Sequence, residues 1–202
     1  MRKSIFAGKR IEGVLVVCLL FVFLTGCGKE VQLQSGTNLQ LQKDGGVTVT
    51  YIEEFPADYY DVSELDAMNR EEVEEYNSQV GEEAITVLST TSDGNKLTLS
   101  MQYKDADTYG IVNTATVFNG NIGQAKALGY DFNRTFVNTK DGAQVRDIIW
   151  EDMENHHVFI TDELSTIYTY GKIEYVTENV TVSDDKKMAM VTGEGQAVIV
   201  FK

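Results

Sequence analysis

Leu39-Gln-Leu41, Lys43-Asp-Gly-Gly46 and Val47-Thr-Val49-Thr-Tyr51 form the stretch whose reading decides the fold. Apolar and polar residues alternate on both sides of an Asp-Gly-Gly turn. That pattern is the signature of a β-hairpin with one buried face. A second copy of the logic follows at Ile85-Thr-Val87-Leu-Ser, Ser92-Asp-Gly-Asn95 and Leu97-Thr-Leu99-Ser-Met101-Gln-Tyr103. Its returning strand keeps a clean period of two. Two hairpins so placed predict a mostly antiparallel sheet.

Between the hairpins the period changes to that of a helix. Asp61 or Ser63 can cap it, with Glu64 or Asp66 in the first turn, where carboxylates favour the helix dipole. Val62, Leu65, Met68, Val73 and Tyr76 lie within an arc of about 140° at about 100° per residue, which predicts one apolar face. Glu72 falls inside that arc, and Gly81 ends the segment.

The middle of the chain predicts shorter elements. Asp105 can cap a helix running to Asn113, and Ile122 to Leu128 reads as one or two turns stopped by Gly129. Arg134–Val137 and Ala143–Ile149 flank Thr139-Lys-Asp-Gly142 as a third hairpin. Val145, Ile148, Ile149 and Met153 fit helical spacing equally well, and periodicity leaves both readings open.

The last third is rich in β-branched and aromatic residues: His157–Ile160, Thr166–Tyr170, Ile173–Val182, Lys187–Thr192 and the continuous apolar run Ala197–Phe201. The expectation is an α+β fold of roughly eight to ten strands with one amphipathic helix and one or two short ones. The expected boundaries are a leader over residues 1–26, a modified residue and tether over 27–37, and one globular domain over 38–202.

The leader is read from Arg2, Lys3, Lys9 and Arg10, followed by an apolar run from Val14 to Phe23. A basic start, a short apolar core and small residues before a cleavage point describe a secretory signal peptide. The run is too short to span a bilayer, which needs about 20 apolar residues. Leu24-Thr25-Gly26-Cys27 resembles the bacterial lipobox. The resemblance implies that Cys27 becomes a diacylated N-terminus, carrying fatty chains such as palmitate, and anchors the chain on the extracytoplasmic face of the cell membrane. Two acyl chains suffice for stable anchoring where one does not.

Removal of residues 1–26 takes four of the 17 Lys and Arg and one of the 31 Asp and Glu, leaving 13 and 30 and a formal charge of −17. Such a surface opposes nucleic acid, whose binding relies on cations meeting phosphates. It also opposes adhesion to anionic lipid. Cys18 leaves with the leader and Cys27 is acylated, so no disulfide, thiolate metal site or thiol catalysis is expected.

The carboxylates invite a metal or catalytic reading. Glu71, Glu72, Glu74 and Glu75 with Glu82 and Glu83 form the densest acidic run, but glutamates around a helix diverge, whereas calcium needs oxygens that converge. Asp105 with Asp107, and Glu151, Asp152 and Glu154, are neighbours in sequence only. Glycosidase chemistry needs a set separation across a cleft. His156 and His157, the only histidines, point to opposite faces if they begin a strand, although one of them can pair with Glu154 or Asp162 as acid and base. Ser183-Asp-Asp-Lys186 matches S-x-x-K but falls on an expected turn, and Gly120-Asn-Ile-Gly123 lacks the further residues of a nucleotide loop. Catalytic residues, metal ligands and cofactors are therefore expected to be absent.

Tyrosines offer a sharper candidate. Tyr168, Tyr170 and Tyr175, with Tyr103 and Tyr109, lie in or beside expected strands, where residues at i and i+2 share a face. They are the candidate ligand platform for a sugar or peptide, set against ordinary cross-strand packing. Trp150 reads as core. The functional expectation is a non-enzymatic, membrane-anchored domain binding a protein or glycan of the envelope. Its rivals are an envelope-polymer hydrolase working through carboxylates and an accessory subunit of a transporter or sensor.

Overall fold

β1 (Gly36–Leu41) and β2 (Val47–Glu54) pair antiparallel as the first hairpin in the computed structural model, which describes residues 33–54 and 61–202. The leader, Cys27 and the first residues of the tether lie outside the described residues. Because β1 begins at Gly36, residues 36 and 37, expected in the tether, belong to the sheet.

The long helix follows. α1 (Val62–Val80) is capped by Asp61, whose side chain accepts from the Ser63 amide at 2.7 Å, and it ends at Gly81 with φ +75°. That left-handed conformation is one a residue with a Cβ adopts only under strain. The second hairpin is β3 (Ile85–Asp93) with β4 (Lys96–Tyr103), and β4 also pairs with β2. A bulge between Val87 and Ser89 turns Leu88 out to solvent and returns Thr90 to the face that meets α1.

Val62, Leu65, Val73 and Tyr76 of the apolar arc are buried or half-buried, but the packed face extends past the arc on its polar side and leaves Met68 out. Met68 is 54% exposed, while Asp66, Asn69 and Asn77 are half-buried. β3 is the outer strand of its sheet, and its carbonyls need partners. Asn77 Nδ2 donates to the Ile85 carbonyl at 2.8 Å, Asn77 Oδ1 accepts from the Ala84 and Ile85 amides, and Thr90 donates to Asp66 at 2.7 Å. The helix is seated by these polar contacts as much as by Val73.

α2 (Ala106–Asn113) is capped by Asp105, and β5 (Val117–Asn121) leads directly into α3 (Ile122–Ala127). Asn121 and Gln124 form a capping box at that junction, where Gly120-Asn-Ile-Gly123 sits. Gly129 follows with φ +88°. β6 (Phe136–Asn138) and β7 (Gln144–Val145) form the third hairpin, shorter than its sequence suggested. Ile148 and Ile149 belong to neither a strand nor a helix; a 3₁₀ turn over Trp150–Met153 follows them.

The remaining strands are β8 (His157–Thr161), β9 (Thr166–Tyr168), β10 (Ile173–Thr177), β11 (Val180–Val182), β12 (Met188–Val191) and β13 (Ala197–Phe201). The run Ile173–Val182, expected as one strand, is therefore two. Asn179 turns the chain between them, accepting from Thr177 Oγ1 at 2.7 Å and donating to the Gly195 carbonyl. Thirteen strands among the described residues form two sheets, ordered β11-β12-β9-β1-β2-β4-β3 and β5-β8-β13-β10-β6-β7. All pairings are antiparallel except β1 with β9, so the α+β class with a mostly antiparallel arrangement holds.

Alternation assigns the layers. Leu39, Val47, Val49 and Ile167 of the first sheet meet Phe159, Ile199 and Phe201 of the second in one buried cluster. Val158, Ile160, Val198 and Val200 point the other way, into a second cluster with Ile122, Phe132, Phe136 and Trp150. The second sheet is thus covered on both faces. Gly171 lies against the last residue of the chain, where a Cβ would stand 2.6 Å from the Lys202 carbonyl carbon and oxygen.

Two substitutions separate these assignments. Ile199→Ala is expected to cost about 2–5 kcal/mol, the range for truncating a fully buried aliphatic side chain. Met68→Gln is expected to stay within about 0.5 kcal/mol of the native chain, as an exposed position should. Urea denaturation with an unchanged m-value reads both.

Candidate functional site

The most chemically distinctive group of side chains gathers where β2, β4 and α2 meet the connection from β8 to β9. Tyr51 and Tyr103 come from the core faces of β2 and β4, one four residues further along its ladder than the other's partner, so that their long side chains lean together. Tyr109 comes from α2. Asp105 fixes the phase of that helix by accepting from the Thr108 amide at 2.7 Å, which buries Ala106, Tyr109 and Gly110. The rings of Tyr103 and Tyr109 meet edge to face at 5.2 Å. Asn113, the last residue of α2, accepts from the Tyr51 hydroxyl at 3.0 Å and donates to the Tyr109 carbonyl.

Glu163 closes the group. Its Oε2 accepts from the Tyr109 hydroxyl at 2.6 Å, and the Thr37 hydroxyl of β1 bonds the same carboxylate. Burial pushes the Glu163 carboxyl above its usual range, and the neighbouring Asp162 adds to the effect. The two hydroxyl donors oppose it. Burial raises all three phenols well above their ordinary value, so they are neutral donors at physiological pH and supply no phenolate nucleophile. Thr114, the cap that follows, sits at φ +55°, a strained conformation for a β-branched residue next to this group.

Chemically, the group offers a half-buried carboxyl beside aligned hydroxyls, suited to a polar ligand with hydroxyl or amine functions. It is not a pair of converging carboxylates. Asp162 turns away to accept from the Thr116 amide at 3.0 Å.

The tyrosines singled out from sequence go to separate places. Tyr168 is buried and donates to Asn38 Oδ1 at 3.4 Å. β9 ends there, and a turn in which Thr169 Oγ1 donates to the Gly171 carbonyl reorients the chain. Tyr170 then stacks edge-on against Phe201 and His157, while Tyr175, in the other sheet, meets Trp150 edge-on at 5.8 Å. Period-two sharing of a face needs one unbroken strand, and these three residues do not share one. Tyr103 and Tyr109 do come together, with Tyr51, Asn113 and Glu163, which sequence reasoning had not joined to them. Only the Asp105 cap, which fixes the inward phase of Tyr109, carried a signal for this.

Other sequence candidates have structural placements. Glu71, Glu72, Glu74, Glu75, Glu82 and Glu83 are all exposed, and Glu82 pairs with Lys104. Asp105 is a helix cap, Glu151 pairs with Lys126, and His156 lies 3.3 Å from Glu174. Ser183 donates to Asp185 at 2.6 Å within a turn that places Lys186 at φ +59°. A shallow groove of about 360 Å³ runs over Val137 and Val176 of the second sheet and Val180 and Val182 of the first, with Lys186 and Asp184 on its rim.

No protein-family model, curated protein or solved structure matches this chain. The functional reading therefore rests on the residues themselves.

Because the folded state raises the Glu163 value, it holds that proton more tightly than the unfolded chain does, whose carboxyl titrates near pH 4.3. This contribution is full below that pH and is lost as pH rises through the folded value. Glu163→Gln removes it. The melting temperature of the variant relative to the native chain is expected to rise as pH climbs above about 4.3 and to level off once Glu163 is ionised in the folded state. A difference that does not change with pH would contradict the assignment.

Proposed function

We propose that this chain is a lipid-anchored, extracytoplasmic binding domain, held at the cell membrane through acylated Cys27 and engaging a protein or glycan of the envelope. The observation that carries the reading is Leu24-Thr25-Gly26-Cys27 behind a basic, then apolar, leader. Its position relative to the fold supports it. Only residues 28–35 separate Cys27 from the first strand, a span of at most about 28 Å when fully extended. A domain so tethered works close to the headgroups, on partners within that reach.

The group around Glu163 is the proposed ligand site. Neutral phenols, the Asn113 amide and a carboxyl held by hydroxyls, with no salt bridge to a cation among the described residues, favour hydrogen-bonded recognition of hydroxyl-bearing or amine-bearing ligands. One observation favours a second reading. Burial strengthens the hold of Glu163 on its proton, the direction a general acid requires, and this favours a hydrolase acting on envelope polymer.

Two measurements test this. In a bacterial host that processes lipoproteins, the native chain should take up an alkyne-labelled fatty acid and partition into the detergent phase. Cys27→Ala should do neither, and an unlabelled, aqueous native chain would overturn the anchored reading. Thermal-shift measurements should then cover calcium, magnesium, a chelator, cell-wall fragments and oligosaccharides. A ligand at about 100 times its dissociation constant stabilises by about 2.7 kcal/mol. A glycan shift lost in Tyr51→Phe and Glu163→Gln supports the site. Release of shortened glycan by the native chain, but not by Glu163→Gln, would replace binding by hydrolysis.

A further inference from the structure

Four of the nine large apolar side chains exposed among the described residues stand at one end of the domain. Ile111 is 72% exposed, Leu164 65%, Val112 40% and Leu33 39%. Ile111 and Val112 occupy the last turn of α2, and Leu164 follows Glu163 in the connection from β8 to β9. The hydrogen bonds of the Glu163 group fix them together. Tyr51, whose partner across the ladder is Thr37, bonds Asn113 beside Val112, and Glu163 beside Leu164 bonds Tyr109 and Thr37. Parallel pairing of Asn38 with Thr166 sets Leu164 next to the start of β1. Leu33 precedes that strand directly. All four therefore lie at the end where the chain arrives from Cys27, six residues before Leu33.

Resting on the lipid-anchored reading, we infer that this end of the domain lies against the bilayer and inserts Ile111, Val112, Leu164 and Leu33 into its interfacial layer. The anchor supplies the proximity, since a span of about 20 Å from Cys27 to Leu33 keeps these side chains within reach of the headgroups. Apolar area supplies the contact, as in other proteins that lie on a membrane without crossing it. Charge does not. Asp162 is exposed beside Leu164, and the processed chain carries a formal charge of −17, so anionic lipid is disfavoured. The contact also sets the orientation of the domain, with the Glu163 group at headgroup level, where the proposed ligand would have to reach it. The opposite end, with the Asp44–Gly46 turn and the Gly81–Ala84 connection, faces away from the membrane.

The test uses the processed, acylated chain in protein-free vesicles of zwitterionic lipid. Cys18 is lost with the leader and Cys27 is blocked, so one introduced cysteine gives the only free thiol. Ile111→Cys and Leu164→Cys are labelled with a polarity-sensitive fluorophore. Val80→Cys, exposed at the opposite end of the domain, is the control. Labels at 111 and 164 are expected to shift to the blue by about 10 nm or more and to be quenched by nitroxide lipids, while the label at 80 stays aqueous. The shift should weaken as anionic lipid is added. If the protein floats with the vesicles but all three labels remain aqueous, the inference is overturned while the anchored reading stands. If labels at 111 and 164 shift only in native membranes, a protein partner replaces the bilayer. A chain that carries no acyl group and does not float removes both.

Discussion

Everything in this fold depends on Ala197–Phe201 being apolar on both faces. A strand that alternates can leave one side to water; β13 cannot. Ala197, Ile199 and Phe201 press toward the first sheet, and Val198 and Val200 press the other way, each fully or nearly fully buried. The second sheet must therefore be covered twice. The seven-stranded sheet supplies one cover. The other is built from α3, the 3₁₀ turn and the segment between them, where Trp150 meets Phe132 and the β6 residue Phe136 edge to face. The irregular middle of the chain is that second cover, which explains why it shows no single period.

This division of labour also explains what could be read from sequence. Both long hairpins, α1 with its Asp61 and Gly81 ends, and the Asp105 cap of α2 are set by neighbours within a few residues, and local chemistry identifies them. The assignment of strands to sheets is not local. Ile173–Val182 reads as one strand because its composition is uniform, yet Asn179 bends it so that β10 and β11 serve different sheets. Met68 fits the apolar arc of α1 but is exposed, because the helix also has to satisfy the outer carbonyls of β3 through Asn77. Polar contacts widen the packed face beyond the arc that Val62, Leu65, Val73 and Tyr76 mark, and hydrophobic periodicity does not record them.

The Glu163 group shows the same limit from the functional side. Tyr103 and Tyr109 stand out in sequence as tyrosines beside strands, but Glu163 lies in an aperiodic connection 54 residues after Tyr109. Its environment is created by tertiary packing alone. Burial raises its affinity for a proton, and two hydroxyl donors partly offset this. A carboxyl held in that balance joins β1, α2 and the β8–β9 connection, so the most distinctive chemistry of the domain is also one of its structural junctions.

The parallel pairing of β1 with β9 bears on the order in which the chain acquires its structure. Asn38 finds Thr166 across 128 positions of sequence, and β13, the strand that locks the second sheet, follows later still. Long-range pairings of this kind raise contact order and slow folding, because loop entropy is lost before contacts are gained. A chain emerging N-terminus first forms its opening hairpin early but leaves one edge of β1 without its partner until residues 166–168 arrive. That waiting interval is when the protein is most exposed to non-native strand pairing.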